Sequence, residues 1–241
     1  MALLDFFSAA AKLRRLGKRV TERYGPPENR QKAILTLSEI GTPEALSTLL
    51  LRFTIRSDPT ITDAEEKQTV FELMVEAGDK AVQPLKDFVK QQDSVSWAVR
   101  IMSELLTPEE VNTIALEELQ RLGAEYTRDP EKKIQLIIWL EEHRGPSADA
   151  RLAPTLIPYL EDMSDDVKIA AARTLVPDKP EAAREPLLQA LLTPDQSARV
   201  RQALLAALAD SEFWVQGYRE KVEGLVQEPY FIDKSGVVKR R

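Results

Sequence analysis

The 241-residue sequence contains no cysteine and a single histidine, His143. The first absence excludes disulfides, thiolate metal sites and cysteine nucleophiles, and the second excludes metal sites built from paired histidines. Aromatic residues account for 6% of the chain and glycine for 9 residues, a scarcity that disfavours a turn-rich β-sandwich. No apolar run approaches the length that crosses a bilayer, and the chain begins with apolar residues before basic ones, the reverse of a secretory signal. We therefore predict a helical, cytoplasmic protein.

Groups that could carry out catalysis are equally scarce. No nucleophile motif accompanies His143, whose position at the end of a predicted helix favours a helix-end role over general-base chemistry. The acidic run at 63–66 (DAEE) is typical of the first turn of a helix, not of a metal site. From these features we predict that the protein is not an enzyme and that it has no catalytic residue, cofactor or metal ion.

A period of 32 to 35 residues runs along most of the chain. Every second predicted helix ends on a bulky aliphatic residue, here called an anchor: Ile40, Leu73, Leu105, Leu140, Leu175 and Leu208. The residues three positions before the anchors are apolar as well: Leu37, Val70, Met102, Ile137, Ala172 and Leu205. In a helix these two positions share one face. Such spacing predicts a stack of helix pairs, each burying its apolar face against the next.

Prolines recur in the helices that precede three of the anchors. Pro84, Pro154 and Pro186 lie 21, 21 and 22 residues before Leu105, Leu175 and Leu208. Because proline removes a backbone donor and bends a helix, these outer helices are predicted to be bent in register.

Two segments carry a resemblance to a known family. Residues 167–175 (VKIAAARTL) and 200–208 (VRQALLAAL) resemble the second helix of HEAT repeats, in particular the short bacterial type that also occurs in phycobilin lyases. The resemblance implies an all-α, right-handed α-solenoid of about six helix pairs, like family members without an assigned activity. It also gives a reason for alanines 170 to 172, because small side chains let an inner helix approach neighbours on two sides. Basic residues recur seven positions before three anchors, and we expect them to pair with Asp165, Asp166 or Asp195: Lys133, Lys168 and Arg201.

Both ends of the chain depart from the repeat. We predict an N-terminal capping helix in residues 1–24, the repeat solenoid in 25–209, and a capping helix (212–226) with a β-hairpin tail in 210–241. The hairpin is predicted from Tyr230, Phe231 and Ile232, a turn at 233–236 (DKSG) and two valines, and it could lie over the last helices or offer an edge to a partner strand. Two longer connections, at 56–63 and 123–130, could contribute to a binding face.

The repeat period and the missing catalytic motifs together predict a scaffold or adaptor that binds a partner protein or peptide on its curved surface. The residues five positions before the anchors form a column along the second helices of the pairs. We expect their side chains to face the concave side in part. We predict that Gln68, Arg100 and Gln135 of this column, together with Arg173, contact the partner. An ion pair between Arg100 and Glu104 one turn later is the alternative explanation for that arginine.

The sequence leaves two other functions open. One is a helical-repeat DNA-binding enzyme of the alkylpurine glycosylase type, which would use tryptophans such as Trp97 and Trp139 in a basic groove. Core packing is the competing role for these two residues, and the net charge of −6 does not favour a nucleic-acid partner. The other is peripheral membrane contact through the basic N-terminal helix, residues 3–23, against which stands a capping role for its apolar stripe.

Overall fold

The chain divides into two compact units, residues 1–111 and 112–241, with the boundary inside a helix. The structure, a computed structural model, describes residues 2–143 and 149–241, and the side chains from residue 9 onward within them. Helices dominate both ranges, and the strands found there form one small C-terminal antiparallel pair. The expectation of a mostly helical protein with a C-terminal hairpin is therefore confirmed.

Six helices and a single 3₁₀ turn form most of the first unit. They are α1 (Ala2–Val20), α2 (Pro27–Ile40), α3 (Pro43–Leu50), a 3₁₀ helix (Leu51–Thr54), α4 (Thr60–Glu76), α5 (Asp79–Gln91) and α6 (Ser96–Leu105). A further helix, α7 (Pro108–Leu122), crosses into the second unit. Thr42 caps α3 by accepting a hydrogen bond from the Ala45 N–H, and prolines occupy the first positions of α2 and α3, where no backbone donor is needed.

In the second unit the helices are shorter on average. They are α8 (Glu131–Glu142), α9 (Leu152–Leu156), a 3₁₀ helix (Ile157–Glu161), α10 (Asp165–Leu175), α11 (Glu181–Leu192), α12 (Ala198–Asp210) and α13 (Arg219–Glu223). Strands β1 (Tyr230–Ile232) and β2 (Val238–Arg240) follow. The three recurring prolines lie in α5, α9 and α11, as the sequence predicts.

Within each unit, helices alternate between two layers. In the first unit α2 packs on α4 and α4 on α6, while α1 packs on α3 and α3 on α5. In the second unit α8 packs on α10 and α10 on α12. The residues three positions before the anchors are all at most 3% exposed, so the predicted inner face is confirmed. The anchors themselves are buried in the second unit but only half-buried in the first.

The run of alanines in α10 lies where this helix contacts several others. Ala171 and Ala172 are fully buried and Ala170 is 6% exposed, while α10 packs on α8, α9 and α12. Small side chains allow backbones to approach on more than one side, as a two-sided contact requires.

The C-terminal hairpin forms in the predicted segment, with Ile232 opposite Val238. Its turn is held by Asp233, whose carboxylate accepts hydrogen bonds from the Ser235 and Val237 N–H groups, and Gly236 takes the left-handed backbone conformation (φ 83°). Both strands pack on α12, as expected of a hairpin that lies over the last helices.

The predicted helix over 212–226 is wrong in extent, since α13 covers only Arg219–Glu223. Residues before it form turns instead, and Trp214 makes an antiparallel bridge with Val237 of the hairpin. Part of the first half of the predicted helix therefore pairs its backbone with the hairpin segment instead of forming helical hydrogen bonds.

Along α1, the apolar stripe behaves as a packing surface where its side chains are described. Leu16 and Val20 are buried, α1 packs on α2 and α3, and the basic residues Lys12, Arg14, Arg15, Lys18 and Arg19 are exposed. Phe6, another apolar residue of α1, lies among the side chains outside the described set. The contacts agree with a capping role for this helix.

Candidate protein-binding face

An exposed arginine lies over two aromatic rings in the first unit. The Arg100 guanidinium carbon is 4.6 Å from the centre of the Trp97 ring and 5.4 Å from that of Phe71. Trp97 in turn stacks on Phe53, with ring centres 5.2 Å apart and planes 10° from parallel. We call these four residues the Arg100 patch. Phe53 is buried and Trp97 and Phe71 are half-exposed, so a rigid aromatic base presents one cation to solvent.

The four members of the patch come from three elements of the first unit. Phe71 belongs to α4, Trp97 and Arg100 lie three residues apart on α6, and Phe53 comes from the 3₁₀ helix after α3. Positions i and i+3 of a helix are neighbours on its surface, so the pairing of Trp97 with Arg100 could have been predicted from the sequence. In the structure Arg100 stacks on the aromatic rings rather than forming the alternative ion pair with Glu104. The two phenylalanines carried no such signal.

Gln68, the other predicted contact residue of the first unit, lies on α4, which packs on α6. Its side chain is exposed, and its amide donates to the Glu72 carboxylate at 3.0 Å. Leu35, which precedes Gln68 in the predicted column, is 44% exposed on α2. Leu35, Gln68 and Arg100 are thus solvent-facing on three successively packed helices, which makes this layer available to a partner.

A buried charge network, Arg30, Arg52, Asp63 and Glu66, joins α2 and α4 to the 3₁₀ helix. Both oxygens of Glu66 accept from the Arg30 Nε–H (3.1 and 2.9 Å), and one also accepts from the Arg52 Nε–H at 2.8 Å. The second carboxylate, Asp63, accepts from Arg52 Nη2 at 2.7 Å. Both arginine side chains are fully buried, so the network fixes α2, α4 and the 3₁₀ helix to one another. This network was not predicted from the sequence.

This environment changes the pKa of the Asp63 carboxyl. Burial by itself raises its pKa, but hydrogen bonds from Lys67, Arg52 and the Ser57 N–H outweigh burial and hold the pKa of Asp63 well below its usual range. The carboxylate is therefore ionised at neutral pH. The acidic run at 63–66 was interpreted as the first turn of a helix, and Asp63 does lie in the first turn of α4. The burial of Asp63 and Glu66 as counter-ions of arginine was not predicted.

The remaining predicted contact residues belong to the second unit and are engaged with other side chains. The half-buried Gln135 donates from its amide to the Glu131 carboxylate one turn earlier on α8. Arg173, exposed on α10, forms an ion pair with Glu141 of α8 at 2.8 Å. The two pairs lie on packed helices, α8 and α10. Whether these residues contact a partner stays a prediction.

A lysine-centred network occupies the core of the second unit. The ammonium of Lys133 donates to the Asp162 carboxylate at 2.7 Å and to the Glu125 carbonyl at 2.6 Å, and both ion-pair side chains are at least 97% buried. Beside it the Tyr159 hydroxyl donates to the Leu119 carbonyl at 2.6 Å. Burial, followed by the negative charges of Asp162 and Glu118, raises the pKa of the Tyr159 phenol well above its usual value.

The expected partners of the recurring basic residues are wrong in detail. Lys133 pairs with Asp162, Lys168 donates to the Gln196 amide oxygen, and Arg201 donates to the Gln196 carbonyl. The aspartates expected in these pairs begin a helix or lie in a turn, whereas Asp162 directly follows the second unit's 3₁₀ helix and is buried.

The two tryptophans of the glycosylase alternative differ in role. Trp139 is 8% exposed, stacks on His143 and donates from its indole N–H to Asn112 at 3.1 Å, which confirms core packing. His143 follows α8 directly, which confirms its predicted position at a helix end, and its Nδ1 lies 3.1 Å from the Trp139 carbonyl. Trp97, in contrast, belongs to the Arg100 patch. No basic groove is assembled by these contacts.

Two features that the described residues lack also bear on the site. None of the helices in residues 2–143 and 149–241 is long and apolar enough to cross a bilayer. Across the same ranges, no three His, Cys, Asp or Glu side chains are grouped as metal ligands.

Comparisons with known proteins identify no family. No family model matches the chain, and no curated protein matches it. Among solved structures it is similar to human deoxyhypusine hydroxylase in complex with glycerol, with a TM-score of 0.36 and 17% identity over 92% of this chain and 94% of that chain. Similarity at this level assigns neither a family nor an activity to the present chain.

The prediction that the chain is not an enzyme is nevertheless contradicted by this comparison, because the similar protein is an enzyme, and the prediction is withdrawn. It depended on the absence of catalytic residues close together in the sequence. Helix packing joins residues that are far apart, as Arg30 and Glu66 show at a separation of 36 positions. A missing local motif therefore does not exclude catalysis in such a fold.

Proposed function

We propose that the chain is an interaction scaffold whose first unit binds a segment of a partner protein at the Arg100 patch. The observation that carries this proposal is an exposed guanidinium stacked on the half-exposed rings of Trp97 and Phe71. Arginine and tryptophan are the residue types most enriched at the energetic centres of protein interfaces. The stacked Phe53 ring holds Trp97 in place, which reduces the conformational entropy lost when a partner binds.

The order of helix packing supports the finer part of the proposal, that the helix pairs are HEAT-like repeats of a right-handed α-solenoid. Inner helices pack on one another in sequence order in each unit, α2 on α4 on α6 and α8 on α10 on α12. This is the arrangement expected when each pair buries its apolar face against the next. Proteins built in this way bind partners along their exposed inner helices.

Charges beside the patch indicate which partner it suits. The exposed residues of α4 and α6 include Glu65, Glu72 and Glu104 in addition to Arg100. A phosphate backbone would be repelled by these carboxylates. We expect a protein segment with an apolar or aromatic side chain that packs on the rings of Trp97 and Phe71. Its basic residues would face these carboxylates rather than Arg100.

Charge reversal at the patch tests the proposal. The full chain is immobilised as wild type or as Arg100→Glu, proteins are captured from the organism that encodes it, and the captured protein is purified for titration calorimetry. We expect Arg100→Glu to weaken binding by at least about tenfold, since loss of an interface centre of this kind costs about 2 kcal/mol. The melting temperature should not change, because Arg100 is exposed.

Arg23→Glu is the matched control: it makes the same charge change at an exposed position near the end of α1. Its affinity should stay within about twofold of wild type, because an exposed charge outside the interface changes mainly the association rate. Equal binding by wild type and Arg100→Glu, or equal losses in the two variants, would contradict the proposal.

A further inference from the structure

A cleft of about 130 Å³ lies between α12 and the segment that leads into the hairpin. Its apolar lining comes from Ala198, Leu205 and Leu225, and its polar lining from Arg201, Gln202, Gln227, Glu228 and Tyr230. The first turn of α12 contributes Ala198 and Arg201, so the positive end of that helix dipole lies at the cleft. The cleft combines an apolar wall with hydrogen-bond donors.

Tyr230 supplies the first available donor of the cleft. The residue is only 7% exposed, and its hydroxyl forms no hydrogen bond with any residue in 2–143 or 149–241. That hydroxyl is also absent from the fully enclosed atoms without a partner, so it reaches the surface. A buried tyrosine ring usually satisfies its hydroxyl within the protein, as Tyr159 does.

Arg201 supplies the second available donor. It is half-buried, and its one hydrogen bond within the described part of the chain runs from Nη2 to the Gln196 carbonyl at 3.2 Å. Its Nε–H is enclosed and unpaired, and no carboxylate of the described residues lies within ion-pair distance. The carboxylate that lines the cleft, Glu228, is 87% exposed and pairs with Arg241 instead. A partly desolvated arginine without a counter-ion favours the binding of an anion.

The volume limits the size of that anion. A cavity of about 150 Å³ accommodates a benzene ring, so about 130 Å³ suits a group of roughly six non-hydrogen atoms. An apolar wall opposite a cation and a hydroxyl fits a carboxylate that carries a short branched alkyl chain. The amides of Gln202 and Gln227, which make no hydrogen bond to other described side chains, can adjust to either oxygen.

We propose that this cleft binds a carboxylate on a short apolar body, with Arg201 as the counter-ion and the Tyr230 hydroxyl as a second donor. Two sources share this chemistry: a free short-chain acid and the C-terminal residue of a protein. Neither depends on the Arg100 patch, which lies in the other unit.

The probe for the first source is isobutyrate, titrated into the ¹⁵N-labelled full chain and followed by NMR. Amide signals of residues 198–205, 225–228 and 230 should shift in a saturable manner, with a dissociation constant in the millimolar range for so small a ligand. Isobutyramide, which has the same shape without the charge, should bind at least about tenfold more weakly. The probe for the second source is acetyl-Gly-Val with a free C-terminus, compared with the same peptide amidated.

Two variants assign the donors. Arg201→Gln should weaken isobutyrate binding at least about tenfold, and Tyr230→Phe, which keeps the ring, about threefold. Arg199→Gln removes an exposed arginine from the same helix and should have no effect. Tighter binding of the free peptide than of isobutyrate assigns the cleft to a protein C-terminus, and isobutyrate binding alone assigns it to a small acid. The proposal is overturned if neither carboxylate produces saturable shifts, if isobutyramide binds equally well, or if Tyr230→Phe and a folded Arg201→Gln both bind like wild type.

Discussion

The two units bury charge in different ways. In the first unit, Arg52 alone donates to Glu66, Asp63, the Ser57 hydroxyl and the Ile55 carbonyl. In the second, Lys133 reaches one carboxylate and one carbonyl. A guanidinium offers five donors in a planar fork, whereas an ammonium acts as a point charge on a flexible stem. The arginine network therefore ties three elements of the first unit together, while the lysine holds a single aspartate in place.

This difference has a consequence for the surface of each unit. The first-unit network fixes α4, which carries Phe71 and Gln68, to α2 and to the 3₁₀ helix that carries Phe53. The rings of Phe71 and Phe53, which both contact Trp97, are thus attached to a rigid set of elements. Rigidity of this kind is what an interface centre needs, because less entropy is lost on binding.

The largest expected effect is in the arginine network. Glu66→Gln keeps the side-chain shape but removes the charge shared by two fully buried arginines, so we expect the free energy of unfolding to fall by about 3–5 kcal/mol. Urea titration followed by circular dichroism measures the change. Glu65→Gln, on an exposed position of the same helix, is the control and should stay within about 0.5 kcal/mol. Similar losses in both variants would mean that the network does not distinguish the first unit.

A smaller loss is expected in the lysine network. Lys133→Met keeps the length of the side chain but leaves the Asp162 carboxylate without its cation, at a cost of about 2–3 kcal/mol. The loss is limited because Asp162 still accepts a hydrogen bond from the Ser164 N–H at 2.8 Å. The same urea titration applies, with Lys221→Met at an exposed position as the control. If Lys133→Met lowered the free energy of unfolding more than Glu66→Gln, the proposed difference between the arginine network and the lysine network would be wrong.

Much of this architecture could be predicted from the order of residues, and the networks could not. Periodicity located most helices to within a few residues, because a stacked layer repeats the same apolar requirement in every pair. The β-favouring residues before the turn located the hairpin. Arg30 and Glu66, however, are 36 positions apart and look like ordinary charged residues of exposed helix faces. Nothing local marks them as buried, since a charge is buried only when packing supplies its partner. The same reason explains why Arg100 could be selected from the sequence while Phe53 beneath Trp97 could not.

The smallest expected effect concerns the pH dependence of the first unit's network. Because the pKa of Asp63 is lower in the folded chain than in the unfolded one, its contribution to stability is complete above the ordinary carboxyl pKa and is lost as the pH falls through the lower folded value. In Asp63→Asn the free energy of unfolding should be about 1–3 kcal/mol lower than wild type at pH 7. Below pH 4 the two curves should converge, because wild type then loses the interaction that the variant lacks at every pH. Urea titrations across the acid range test this, and a constant difference between the curves down to pH 2 would show that Asp63 titrates normally. Asp93→Asn, at an exposed position of the same unit, should instead follow the wild-type curve throughout.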